Sequence, residues 1–163
     1  MSKYMDIAKT VIKEHEQVLL DVDEKEVAAL LDAIAGADVV LLPPSNPVVS
    51  IGPILSVPGV RDAVGSSSAP VVGISPIIGG RPVRGMADAC LAAIGVESTA
   101  AAVAGLHADV LDAWLVDDTD ADAVDELAAL GIRTMAMPLL MLDGSSTRAI
   151  AASAIDLALS SRP

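Results

Sequence analysis

The stretch APVVGISPIIGGRPVRGMADACLAAIG, residues 69–95, decides the fold. It opens on a short β-branched run, Val71-Val72-Gly73-Ile74, which reads as a strand. A loop rich in Gly and Pro follows over residues 76–84, and a helix is predicted over residues 86–94, closed by Gly95. Strand, Gly/Pro loop and helix together make half of a βαβ unit, and the neighbouring sequence repeats the alternation. Upstream, residues 37–42 (ADVVLL) end on Pro43-Pro44 and read as a strand buried on both faces. Before it, Asp21 or Asp23 caps a helix running to Ala35, with Val27, Leu30, Leu31 and Ile34 as its apolar stripe and Gly36 as its stop. Further back, Met5, Ala8 and Ile12 fall at helical spacing within residues 1–17, and Val18-Leu19-Leu20 reads as a short strand. A loop is predicted from Pro43 to Pro53, then a helix to Gly65 that Pro58 divides into two short pieces.

Downstream the alternation continues. Residues 99–108 read as a helix of small residues, and Trp114-Leu115-Val116 as a third strand. A helix over residues 120–130 stops at Gly131. Residues 132–137 give a fourth strand, and Ser145 or Ser146 caps a final helix to Leu159. Strands alternating with short helices mean parallel βαβ units with right-handed crossovers. The expected fold is therefore α/β: a Rossmann-like parallel sheet with helices on both faces. A chain of 163 residues suits one such domain. We place it at residues 27–163, leaving residues 1–26 unassigned.

Composition narrows the function. Apolar residues make up 53% of the chain, which excludes disorder for most of it. With no Phe, one Tyr and one Trp, the core rests on aliphatic side chains, and stacking platforms for single-stranded nucleic acid cannot be built. The net charge of −12 repels phosphate backbones and anionic lipid, so neither nucleic acid nor membrane is expected as a partner. One cysteine, Cys90, leaves no internal disulfide or thiolate zinc site and reads as a small core residue. His107 reads as a packed or surface imidazole, and Met135, Met137 and Met141 as core filler. No signal-peptide pattern and no long apolar run appear, so the cytoplasm is the expected compartment.

Ligands of open parallel sheets sit beyond the carboxyl ends of the strands, which singles out three loops. In the first, residues 43–53, four prolines fix the shape. The remaining polar groups are Ser45, Asn46 and Ser50, with the amide groups near Gly52. An Asn amide offers donor and acceptor edges, as reading a base or ribose requires. In the second, residues 75–85, Gly79-Gly80 permits close backbone approach, while Arg81 and Arg84 neutralise phosphate. The third, after Asp117, is rich in carboxylates. There Asp118, Thr119 and Asp120 are expected to cap a helix rather than hold a metal.

These loops in this order resemble the 2-phospho-L-lactate transferases of coenzyme F-420 biosynthesis, with their phosphoenolpyruvate-using relatives. The likeness is carried by residues 38–59 (DVVLLPPSNPVVSIGPILSVPG) and residues 69–88 (APVVGISPIIGGRPVRGMAD). Residues 93–96 and 112–117 add to it. The run PVRGMAD, residues 82–88, looks like the phosphoenolpyruvate-using branch. The resemblance covers residues 27–159 and corresponds to the C-terminal half of a typical member.

The resemblance implies transfer of a 2-phospholactyl or phosphoenolpyruvyl group from a GDP-linked donor to the hydroxyl of the deazaflavin Fo, with GMP released and Mg²⁺ assisting. On the matching loops, Ser45, Asn46, Pro47, Ser50 and Gly52 would line the guanine-nucleotide pocket. Ser75, Gly79, Gly80 and Arg81 would face them. The family's opening Gly-rich turn with its basic residue has no counterpart here, nor has its Asn-Thr-Gly-Asp-Asp-like segment. A Tyr expected near His107 is also missing, and Pro138-Leu139 stands where the family has Asp-Thr. Catalytic residues and Mg²⁺ ligands are therefore not assigned. A parallel sheet cut in half exposes an edge, so a homodimer or association with a separate N-terminal half is expected. The alternative reading is a non-catalytic guanine-nucleotide-binding or dimerisation module.

Overall fold

The computed structural model describes residues 23–160, together with Lys9, Thr10 and Lys13. The rest of the expected opening helix and the Val18-Leu19-Leu20 strand lie outside the described residues. Helix α1, Glu24–Ala35, begins where the Asp23 side chain accepts from the Lys25 N–H at 2.8 Å, with Glu24 and Glu26 complementing its dipole. Strand β1, Val40–Leu42, pairs in parallel with β2, Val71–Ile74. On its other side β2 pairs in parallel with β5, Ala113–Val116, and β5 with β6, Arg133–Ala136. The sheet order β1-β2-β5-β6 puts consecutive strands side by side.

The expectation that β1 is buried on both faces is corrected. Among the described residues it lies at the sheet's edge, paired only with β2, and Leu41 is 39% exposed. An apolar run fixes a strand, but pairing with a second neighbour is what buries both of its faces.

The first predicted loop also differs. From Pro47 the chain is helical: a π-helical turn, Pro47–Ile51, runs into α2, Gly52–Ser56, and α3 follows over Val60–Ser66. The Asn46 side chain caps this turn, its Oδ1 accepting from the amide groups of Val48 (2.9 Å) and Val49 (3.2 Å). Asn followed by Pro is a cap and first-position pair, and it prevails over the extended preference of Val48-Val49. The break between α2 and α3 falls at Pro58, as expected, with Gly59 left-handed at φ +85°.

The Gly/Pro loop after β2 contains a hairpin of β3, Ile77–Ile78, and β4, Arg81–Pro82. Gly79 and Gly80, at φ +57° and +75°, supply its two-residue turn. Helices α4, Ala87–Ala93, and α5, Ala100–Gly105, follow. A 3-10 turn, Asp118–Asp120, precedes α6, Ala123–Ala128. Its cap is Asp117, not the three residues after it. The last helix, α7, spans Gly144–Leu159 and is capped by Asp143, not by Ser145 or Ser146. The Asp143 carboxylate accepts from both serine amides, and the Ser146 hydroxyl accepts the Asp143 N–H at 2.9 Å, a reciprocal capping box.

Two cores flank the sheet. Alternate residues Val71, Trp114 and Val116 face Leu55, Val64, Leu91, Val103 and Leu127 from the helices between strands, with Ile34 of α1. Val72, Ile74, Ala113 and Leu115 face Ile150, Ala154 and Ala158 of α7. Right-handed crossovers between adjacent strands put the connecting helices on one face, so α7 returns across the other. The alanines at 154 and 158 let that helix approach closely. Gly73 is set by Trp114: a β-carbon there would lie 2.1 Å from Cζ3 of the indole.

Candidate functional site

The carboxyl ends of all four sheet strands point to one edge. Pro43 follows β1, Ser75 follows β2, Asp117 follows β5 and Met137 follows β6. A cavity of about 420 Å³ opens there, within the range of small-ligand sites. Pro44 and Asn46 line it from the β1 end. Ser75, Pro76 and Ile78 enter from the β2 end, with Pro82, Val83 and Arg84 beside them. Leu139, Leu140, Met141 and Leu142 close the far side, and Ala87 lies at the base of α4.

The first two loops therefore share one hollow, where Asn46 meets Ser75, Pro76 and Ile78. Their other expected residues take supporting places. The Ser45 hydroxyl donates to that of Ser50 at 2.8 Å, and neither lines the cavity. Pro47 is buried at the start of the π-helical turn. Gly52 lies against the Pro47 carbonyl oxygen, which would be 2.9 Å from an added β-carbon. These four shape the segment behind Asn46. Because Asn46 Oδ1 already accepts two backbone amides, its NH₂ group is the edge left for a ligand; it does not offer both edges.

Ser75 is buried, and its hydroxyl donates to the Ile77 carbonyl (2.8 Å) while accepting the Ile77 amide (3.1 Å), so it fixes the hairpin's entry. Gly79, Gly80 and Arg81 are outside the lining. The positive charge in the cavity is Arg84, exposed and without an ion pair among the described residues. Helix α4 carries Asp88 in its first turn, so the charge there rests on Arg84 rather than on the helix end.

Sequence reasoning missed the far wall. Met141, expected in the core, is 45% exposed, and Leu142 is 81% exposed. Met135 and Met137 do pack against the second core, and Cys90 is fully buried. The signal for the wall was the run Leu139-Leu140-Met141-Leu142 between Pro138 and Asp143. It is apolar but follows a strand's carboxyl end, where a buried continuation is not required.

Asp117 is buried beneath that wall. Its Oδ2 accepts the Leu139 amide at 2.8 Å, and its Oδ1 accepts the Thr119 amide (3.1 Å) and hydroxyl (2.9 Å). Burial opposes ionisation, but these donors outweigh it and hold the carboxyl below the usual range. Asp120 Oδ2 accepts the Gly79 amide at 2.9 Å. Among the described residues no group of three His, Cys, Asp or Glu side chains gathers to hold a metal ion. Asp117 and Asp120 both accept from backbone amides across the fold.

The sequence profile of the 2-phospho-L-lactate transferase CofD family matches residues 4–143. The chain belongs to that family. The matched span includes much of the segment that sequence reading left unassigned. The phosphoenolpyruvate transferase of Streptomyces griseus subsp. griseus is 58% identical over 135 residues, 82% of this chain and 42% of that one. That of Thermobifida fusca is 60% identical over 136 residues, 83% and 40% of the two chains. That of Mycolicibacterium smegmatis is 52% identical over 134 residues, 79% and 39%. The chain thus spans about two fifths of the length of these curated CofD-family relatives. A crystal structure of protein BH3568 from Bacillus halodurans is similar in fold, with a TM-score of 0.50 and 24% identity over 77% of this chain and 45% of that one.

Proposed function

We propose that this chain supplies the donor-nucleotide seat of a coenzyme F-420 transferase. The reaction moves a phosphoenolpyruvyl or 2-phospholactyl group from a GDP-linked donor to the deazaflavin Fo. The Fo hydroxyl oxygen bonds to the phosphorus carrying the organic acid, the anhydride bond to the α-phosphate breaks, GMP leaves with that bond's electron pair, and the hydroxyl proton is released to solvent. The observation that carries the reading is the single cavity joining Asn46 to Ser75, Pro76 and Arg84. Membership of the CofD family supports the same chemistry.

This chain's part is binding and orientation. Arg84 balances phosphate charge, and its planar guanidinium suits bidentate contact. The Asn46 NH₂ group donates to a ligand oxygen. Such positioning with charge stabilisation is what phosphoryl chemistry chiefly requires of a protein. Mg²⁺ belongs to the family's chemistry, and no step here is routed through it.

A ligand bound only by the native state raises Tm by mass action. GDP should do so, and Asn46→Ala should weaken its binding by about 1–3 kcal/mol. Arg84→Ala should weaken it too, with a smaller dependence on salt, while Arg81→Ala should bind as the unsubstituted chain does. Absence of a GDP-dependent rise overturns the proposal.

A second reading, a guanine-nucleotide-binding module without catalysis, is favoured by one feature. Apart from Arg84, the lining among the described residues holds no titratable side chain to accept the hydroxyl proton. Fo separates the two readings, since it adds to the GDP shift only where an acceptor pocket exists.

A further inference from the structure

The 3-10 turn at the end of β5 lies outside the cavity lining, yet a carboxylate at each of its ends reaches a different wall. Asp117 accepts the amide of Leu139, 22 residues onward, in a buried bond. Asp120 accepts the amide of Gly79, 41 residues back, at the tip of the hairpin. The turn between them is stiff: the Asp120 amide donates to the Asp117 carbonyl at 2.8 Å, and Thr119 bonds twice to the Asp117 carboxylate. A local helix cap bonds two or three residues onward; these bonds span the fold instead. Hydrogen bonds to a charged acceptor are also the stronger kind. Gly79 belongs to the two-residue turn of the hairpin, so the bond from its amide holds the hairpin at its tip.

We propose that Asp117 and Asp120 are positioning residues that set the distance between the hairpin, which Val83 and Arg84 directly follow, and the apolar wall Leu139–Leu142. Neither touches the ligand. One turn ties two segments that share no strand pairing, so the cavity keeps its width before a ligand arrives. Preorganisation of this kind lowers the ordering cost of binding. The effect on affinity rests on the nucleotide reading above; the tie itself does not.

The test measures amide exchange of the hairpin (residues 77–81) and the wall (139–142) without ligand, and GDP affinity by calorimetry. Asp120→Ala is expected to speed exchange at the hairpin and weaken GDP binding about ten-fold or more, the scale of one hydrogen bond to a charged group. Tm should change little, since that bond is exposed. Asp120→Asn keeps an acceptor oxygen and should restore both readouts. Asp117→Asn retains one acceptor oxygen of two, so exchange at the wall should rise. Unchanged hairpin exchange in Asp120→Ala overturns the proposal. So does GDP affinity equal to that of the unsubstituted chain once the hairpin is loosened, or equal loss in the Ala and Asn variants. If the unsubstituted chain binds no GDP, the nucleotide reading fails, and exchange alone decides whether the aspartates hold the walls.

Discussion

His107 is buried, and neither ring nitrogen has a hydrogen-bond partner among the described residues. Burial pushes its pKa down, the nearby Arg61 guanidinium adds to this, and Asp109 opposes both. Arg61 is itself tied to Asp109 and to the Leu106 carbonyl, so the positive charge stays beside the imidazole. The folded state therefore resists protonation that the unfolded chain accepts near pH 6.5. Between those two pKa values the unfolded state binds more protons, and stability falls as pH falls. The contribution is complete above about pH 6.5 and declines below it. Urea midpoints should drop between about pH 7.5 and 5.5, and His107→Leu should flatten that drop. His15 is present in both proteins, and the carboxylates change charge mainly in more acid solution, so the difference isolates His107. Equal slopes in the two proteins would sink the argument. From its Ala-rich helical run the sequence left His107 a packed or surface imidazole; that it is buried, and which charges face it, depended on bringing residue 61 to residue 109. The same limit governed the arginines. Arg81 and Arg84 lie three residues apart in one loop, and the hairpin's course decides that Arg84 lines the cavity.

At the scale of elements, the strand register matters most. Gly73 and Trp114 are paired across β2 and β5, and the indole fills the space that a β-carbon at residue 73 would take. Gly73→Ala drives a methyl group into the ring and should cost at least about 1–3 kcal/mol, the usual scale of overpacking. Trp114→Leu removes the obstacle, so the double variant should be less destabilised than the sum of the single ones, as read by denaturant unfolding. Additive losses would place the ring elsewhere. Strands β2, β5 and β6 were readable because each is a short run between turn residues. The pairing of the chain's one tryptophan with a glycine was not, since adjacency in a sheet is a tertiary fact. Boundaries set by side-chain caps were harder still. Asp143 wins over Ser145 and Ser146 because its carboxylate accepts both of their amides at once. Asn46 turns an extended-looking Pro47-Val48-Val49 into helix in the same way.

For the whole molecule, the two sheet edges differ in character. The outer edge of β6 carries Arg133 and Thr134, polar side chains that discourage pairing; Arg133 also donates to the carbonyls of Leu157 and Ala158 at the end of α7. The outer edge of β1 is Val-Leu-Leu. The Val40 amide points inward to the Pro70 carbonyl, so by alternation the backbone groups of Leu41 point outward, beside a side chain that is 39% exposed. Among the described residues nothing pairs with this apolar edge, which makes it a template for a further strand, and a second copy of this chain can supply one. Against that stands the net charge of −12 on each copy. Repulsion between like-charged molecules is screened by salt, whereas strand pairing and apolar burial are not weakened by it. Self-association through β1 should therefore strengthen as salt and protein concentration rise. Light scattering after size-exclusion chromatography should show the mass climbing from one chain towards two. Leu41→Lys places a charge on the edge and should hold the mass at one chain under the same conditions. A mass that ignores both salt and residue 41 would mean that this edge does not bring copies together.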